Sequence, residues 1–186
     1  IEGRGSLARL FRPSNWDQVE TILPQYLERN VPFTSGARIR SASIQNAAPI
    51  RIGETEVWFL VVRVEAAGGF TEMVTLALAY VPESAVDSLL APPRTAVMAR
   101  VSEPAPGFLC DSLSVPDCCR DLIRGILTGR SRRFENGEIE ASPITKGIVI
   151  DQDALAALPL SLTRSERNNW AVVYGDAYIL KIFRRV

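Results

Sequence analysis

The stretches EVWFLVVRVEA at residues 56–66 and FTEMVTLALAY at residues 70–80, separated by Ala67-Gly68-Gly69, decide the fold. Both are rich in β-branched and aromatic residues and alternate in hydrophobicity, the pattern of strands that bury one face. ARIRSASIQN at residues 37–46 carries the same alternation. The three segments predict an antiparallel meander whose second pair is a hairpin.

Toward the N-terminus, Ser14 followed by Asp17 reads as an N-cap with an acidic first turn, opening a helix over about residues 15–27. Trp16, Val19, Ile22, Leu23 and Tyr26 recur at three- and four-residue spacing as its apolar stripe, and Pro24 is expected to kink or end it. IEGRGS at residues 1–6 matches a protease recognition sequence with a cloning scar, a tag remnant, so native sequence is expected from about Leu7. Downstream, residues 82–90 read as a short helix, and TAVMARVSE (95–103) and GFLCDS (107–112) as two strands. Pro116 fits the first turn of a helix that presents Cys119, Leu122, Ile123, Ile126 and Leu127 inward and stops at Gly129. An Asn-Gly turn pairs residues 132–134 with 138–141 as a small ribbon, and residues 147–150 read as a short strand. Helix, meander, helix, then strands is the element order of an α+β fold with an antiparallel sheet.

At 186 residues and 20.5 kDa the chain can bury one good core or two small ones. A net charge of +0 with 23% charged residues offers no footprint for nucleic acid or anionic membrane, so neither is expected as a partner. The longest apolar runs, VWFLVV and LALAYV, are strand-length, and no signal peptide is recognisable; a cytoplasmic location is expected. Cys110, Cys118 and Cys119 are odd in number and two are adjacent, so reduced, half-buried thiols are expected. The absence of histidine removes His-based metal sites and every His-based triad. Asp151 and Asp153 read as the N-cap of a helix in DQDALAAL rather than a metal pair. The basic stretch GRSRR (129–133) reads as a helix end, its cations near the carbonyl terminus. Trp16, Tyr26, Trp58 and Phe59 read as core rather than a carbohydrate platform.

The C-terminal stretch WAVVYGDAYILKIF (170–183) reads as two strands joined by a Gly175-Asp176 turn, with one lysine, Lys181, in the second apolar run. A strand lysine downstream of a polar turn is how kinase-like enzymes reach the phosphates of ATP. Taken alone, a lysine near a strand end is more often a solvent-exposed side chain than a ligand. Arg184 and Arg185 read as a solvated continuation of the strand.

LPQYLERNVPFTSGARIRSASI (23–44), PDCCRDLIRGILTG (116–129) and SERNNWAVVYGDAYILKIFRRV (165–186) together resemble the N-terminal part of maltokinases, a family that includes proteins fused behind trehalose synthase. The resemblance implies a cystatin-like cap over residues 7–103, a curved antiparallel sheet with packed helices. Over residues 104–186 it implies an intermediate region and the first strands of the ATP-binding lobe of a bilobal kinase related to aminoglycoside phosphotransferases. It makes Lys181 the ATP-phosphate lysine. Asn168 and Asn169 become nucleotide-loop candidates, where the family tends to carry small hydroxyl residues. ATP and Mg²⁺ are implied for the full-length protein, which would phosphorylate maltose to maltose 1-phosphate, and no cofactor for the isolated fragment. The implied partners are the C-terminal kinase lobe and, in fused members, a trehalose synthase domain. The aspartate that orients the sugar and the magnesium carboxylates would lie in that lobe, so no catalytic or metal residue is assigned here and the chain alone is not expected to transfer phosphate. The alternative is a non-catalytic interaction module whose sheet docks the kinase lobe or a trehalose synthase domain.

Overall fold

Alternation along the meander becomes the layering of the protein. β1 (Ile39–Ile52), β2 (Thr55–Ala66) and β3 (Thr71–Pro82) pair antiparallel, and Trp58, Leu60, Val62, Val74, Leu76 and Leu78 point to one buried face. The structure is a computed structural model that describes residues 7–31, 38–52, 55–102, 105–134, 137–142, 151–164 and 170–185. β4 (Val97–Val101) and β5 (Gly107–Asp111) complete a five-stranded sheet in the order β1-β2-β3-β5-β4. The division expected at residues 103/104 falls between β4 and β5, so this sheet continues to Asp111.

The buried face is covered by α1 (Leu7–Leu10), α2 (Trp16–Glu20) and α3 (Leu23–Asn30). Val19, Leu23 and Leu27 are fully buried there, and Phe11 stacks on Trp58 with ring centroids 4.8 Å apart. The single helix expected over residues 15–27 is two helices. Pro24 has no N–H to return to a carbonyl four residues back and cannot sit inside a continuous helix, so the chain breaks at Thr21 and Ile22 and Pro24 occupies the first turn of α3. Ser14 is not the cap: α2 starts after Asn15, whose side chain instead donates to the Arg9 carbonyl at 2.7 Å. Two helix carboxylates grip the outer strand of the sheet: Glu20 accepts from Ile44 N at 2.7 Å and Glu28 from Ile39 N at 2.9 Å, satisfying N–H groups on an edge that would otherwise be open.

The segment read as a helix over residues 82–90 is a 3₁₀ helix (Glu83–Ser88), followed by the single turn α4 (Pro93–Ala96). α5 (Pro116–Thr128) has the bounds its sequence dictates, with Pro116 in the first turn and Gly129 closing it in the left-handed region at φ 65°. β6 (Arg132–Phe134) and β7 (Gly137–Ile139) form the expected ribbon, its second side starting one residue earlier and ending two residues earlier than expected. Asp151 caps α6 (Gln152–Ala157) by accepting from Asp153 N at 3.0 Å and Ala154 N at 3.1 Å. The strand expected over residues 147–150 lies outside the described residues.

β8 (Leu160–Arg164), β9 (Trp170–Tyr174) and β10 (Tyr178–Ile182) make a second antiparallel sheet in the order β10-β9-β8. Its inner face joins α5 and α6 in a core of Cys119, Ile123, Leu155, Trp170, Val172 and Tyr174, where Tyr174 donates to the Cys119 carbonyl at 2.7 Å. The opposite side of α5 meets the outer face of the first sheet through Cys118, Val57 and Ala79. The protein is therefore of mixed α and β structure with antiparallel sheets, and α5 lies between them. Among the described residues no helix is long and apolar enough to cross a membrane.

Candidate functional site

The β9–β10 hairpin closes through Gly175, Asp176 and Ala177, a three-residue turn where two residues were expected. Gly175 adopts φ 51°, and the turn is held by Ala177 N donating to Tyr174 O at 3.1 Å. The pleat then sorts β10: Tyr178, Leu180 and Ile182 pack into the core beneath the sheet, while Ile179 and Lys181 face outward. Phe183 continues the outward series, and Ile179 and Phe183 are 65% and 68% exposed. Lys181 stands opposite Ala171 of β9, which in turn stands opposite Thr163 of β8. The open face thus presents an exposed ammonium between two exposed apolar side chains. Lys181 and Lys146 are the chain's lysines; every other basic side chain is arginine. Asn168 and Asn169 lie outside the described residues.

Arg184 is not the solvated end expected of it. Its peptide carbonyl accepts from Thr75 N at 2.7 Å, and Arg185 bridges Val74, so the chain beyond β10 lies along β3 of the first sheet. The Arg184 guanidinium is buried and ion-paired with Asp111 at 2.5 Å. The same Asp111 oxygen accepts from Tyr26 OH at 3.0 Å, and the other accepts from Leu113 N at 3.0 Å. Burial, together with the adjacent carboxylate charge, pushes the Tyr26 hydroxyl well above its ordinary range. A desolvated guanidinium is tolerated here because it has a carboxylate partner. Sequence reading missed Arg184, though one signal pointed to it: it continues the inward series Tyr178, Leu180, Ile182.

Between the outer face of the first sheet, α5 and residues 180–184 lies a cavity of about 460 Å³. Its walls are mainly apolar, including Ile52, Phe59, Ala77, Leu122 and Ile126. Arg130 and Arg132 both pair with Asp121 on this wall, and Arg132 also donates to the Arg51 carbonyl at 2.6 Å. Two of the GRSRR cations, Arg130 and Arg132, are thus fixed by a carboxylate 9 and 11 residues back along the chain rather than by the helix terminus alone, and the third, Arg133, pairs with Glu138 across the β6–β7 ribbon. With Arg184 also paired, Lys181 is the cation on the cavity wall that has no ion-pair partner among the described residues.

Cys110, Cys118 and Cys119 are free and fully buried, not half-buried. Burial pushes each thiol up to about 12, assisted at Cys110 by Asp111 and at Cys118 by Asp117. They are inert at neutral pH. Tyr26 and Trp58 are core, Trp16 is partly buried against it, and Phe59 faces the cavity. No group of three or more Cys, Asp or Glu side chains among the described residues is arranged to hold a metal ion. The chain matches no protein-family model and no curated protein.

Proposed function

We propose that the chain is the N-terminal portion of a maltokinase-like sugar kinase, with a cystatin-like cap over the first sheet and the start of the ATP-binding lobe in the second. Its activity would be ATP-dependent phosphorylation of maltose to maltose 1-phosphate in the cytoplasm, completed by a C-terminal kinase lobe and, in a fused protein, adjoining a trehalose synthase domain. The observation that carries this reading is the outward face of β10, where Lys181 stands exposed and without an ion-pair partner among the described residues, flanked by exposed Ile179 and Phe183. The resemblance of residues 165–186 supplies the same role for the same lysine. A flat apolar strip suits a purine base, and a compact ammonium on a rigid strand suits the phosphates beside it. In a chain that otherwise relies on arginine, a lysine here fits a site that needs a point charge rather than a planar fork. ATP with Mg²⁺ would supply the phosphoryl group and neutralise its charge. This chain's own contribution is to hold Lys181 on the sheet and keep its strand in register.

In the protein carrying the C-terminal lobe, Lys181→Ala is expected to lower maltose phosphorylation by about 10²–10³-fold with the melting temperature unchanged. Independently, an acyl-phosphate derivative of ATP should acylate Lys181, with excess ATP protecting it, whereas Lys146 should show no ATP-sensitive labelling. Unchanged turnover together with no ATP-protected acylation rejects the reading. The second reading, a non-catalytic docking module, is favoured by the apolar character of the same face; it predicts that Ile179→Ser and Phe183→Ser weaken association with a separately produced C-terminal lobe while Lys181→Ala does not affect turnover.

A further inference from the structure

We propose that helix α3 positions Lys181 by clamping the open end of the β9–β10 hairpin through two buried polar contacts; this rests on the nucleotide reading of Lys181 given above. Tyr26 and Asn30 are four residues apart and share one face of α3, where Asn30 Nδ2 donates to the Tyr26 carbonyl at 3.1 Å. From Asn30 the main-chain oxygen accepts the indole N–H of Trp170, the first residue of β9, at 3.2 Å. From Tyr26 the hydroxyl donates at 3.0 Å to the Asp111 oxygen that also receives the Arg184 guanidinium at 2.5 Å. Trp170 is the cross-strand partner of Ile182, and Arg184 lies two residues further on. Both contacts therefore seize the same end of the hairpin, away from the Gly175 turn and immediately beside Lys181.

All five side chains are at most 8% exposed, so these bonds form where water cannot replace them. An apolar interface alone would tolerate a strand that tilts or slides, but directional donors and a shared carboxylate accept one placement. The clamp has a fixed base: Glu28 of α3 accepts from Ile39 N of β1, and Thr75 of β3 donates through N and Oγ1 to the Arg184 carbonyl at 2.7 and 3.3 Å. The lysine strand is thereby referenced to the first sheet and its helices. None of these residues belongs to the open face, so they are positioning residues.

The test uses Tyr26→Phe, Trp170→Phe and Asp111→Asn, with amide hydrogen exchange on this chain and kinetics on the protein carrying the C-terminal lobe. Each variant is expected to speed exchange over residues 178–184 by about ten-fold while β2 and the rest of β3 keep their protection. In the longer protein kcat/KM for ATP should fall about ten-fold, KM for maltose should stay constant, and ATP-protected acylation of Lys181 should fall in parallel. Unchanged exchange in β10 overturns the clamp. So does faster exchange with acylation and kcat/KM for ATP both unaltered, because the contacts would then serve stability alone. Should Asp111→Asn fail to fold, Tyr26→Phe decides, since it removes one hydroxyl and keeps the ring. If Lys181→Ala leaves turnover untouched and Lys181 shows no ATP-protected acylation, the nucleotide reading falls by itself, and the exchange experiment still judges the clamp.

Discussion

The two hairpins of this protein treat their outward faces in opposite ways. On β2 and β3 the inward residues Leu60, Val62, Val74 and Leu78 are sealed beneath the helices, and where the outer face reaches solvent it carries the ion pair Arg63–Glu65. On β9 and β10 the inward residues are equally well packed, yet the outer face exposes Ile179 and Phe183 beside a lysine. Phe70 is also exposed, but it stands alone at the Gly68–Gly69 turn. Two large apolar groups flanking a cation on one strand face make the surface that the proposed nucleotide site would use. One hairpin commits its large apolar residues to the core, and the other leaves two of them at the surface.

The severest way to break this contrast is alkali. Each buried thiol keeps its proton in the folded protein up to about 12, against 9.0 when exposed, so the unfolded chain binds fewer protons between those values. Stability from this source is complete below pH 9 and is lost as pH rises toward 12, by about 1.4 kcal/mol per thiol per pH unit. Cys110 belongs to the first sheet and Cys119 to the core beneath the second, so both regions should unfold in one transition across that window, followed by circular dichroism. Two separated transitions would show that the hairpins belong to independent units. Next, Leu60→Ala in the sealed hairpin should cost about 2–5 kcal/mol in urea unfolding. Smallest of all, Phe183→Ser and Ile179→Ser should each change stability by no more than about 0.5 kcal/mol. If either approached the cost of Leu60→Ala, the outward face of β10 would be core, and the distinction between the hairpins would be lost.

Much of the first sheet was legible because its physics is local. Alternation over twelve residues of β2 and of β3 assigns faces without knowledge of the partner, and α5 is bounded by Pro116 and Gly129. β8 escaped notice because LSLTR follows Pro159 directly and offers only five residues of weak alternation. The break between α2 and α3 was invisible to periodicity, since Val19, Ile22, Leu23 and Tyr26 keep helical spacing across it. Lys181 was singled out by its type and setting, and the structure places it exposed on β10. Arg184 was misjudged because a charge is read as solvated unless its partner is known, and that partner lies 73 residues earlier. The Trp170 contact with Asn30 spans 140 residues and no local rule reaches it.

Those separations also bear on how the chain acquires its shape. Asp111 unites segments 85 and 73 residues away, and closing such loops carries an entropic cost that falls due before the contacts can offset it. The sealed hairpin needs only its own turn to begin. The carboxylate that gathers Tyr26 and Arg184 is thus expected to find its partners later than the sealed hairpin forms, with the lysine strand among the later parts of the molecule to lock.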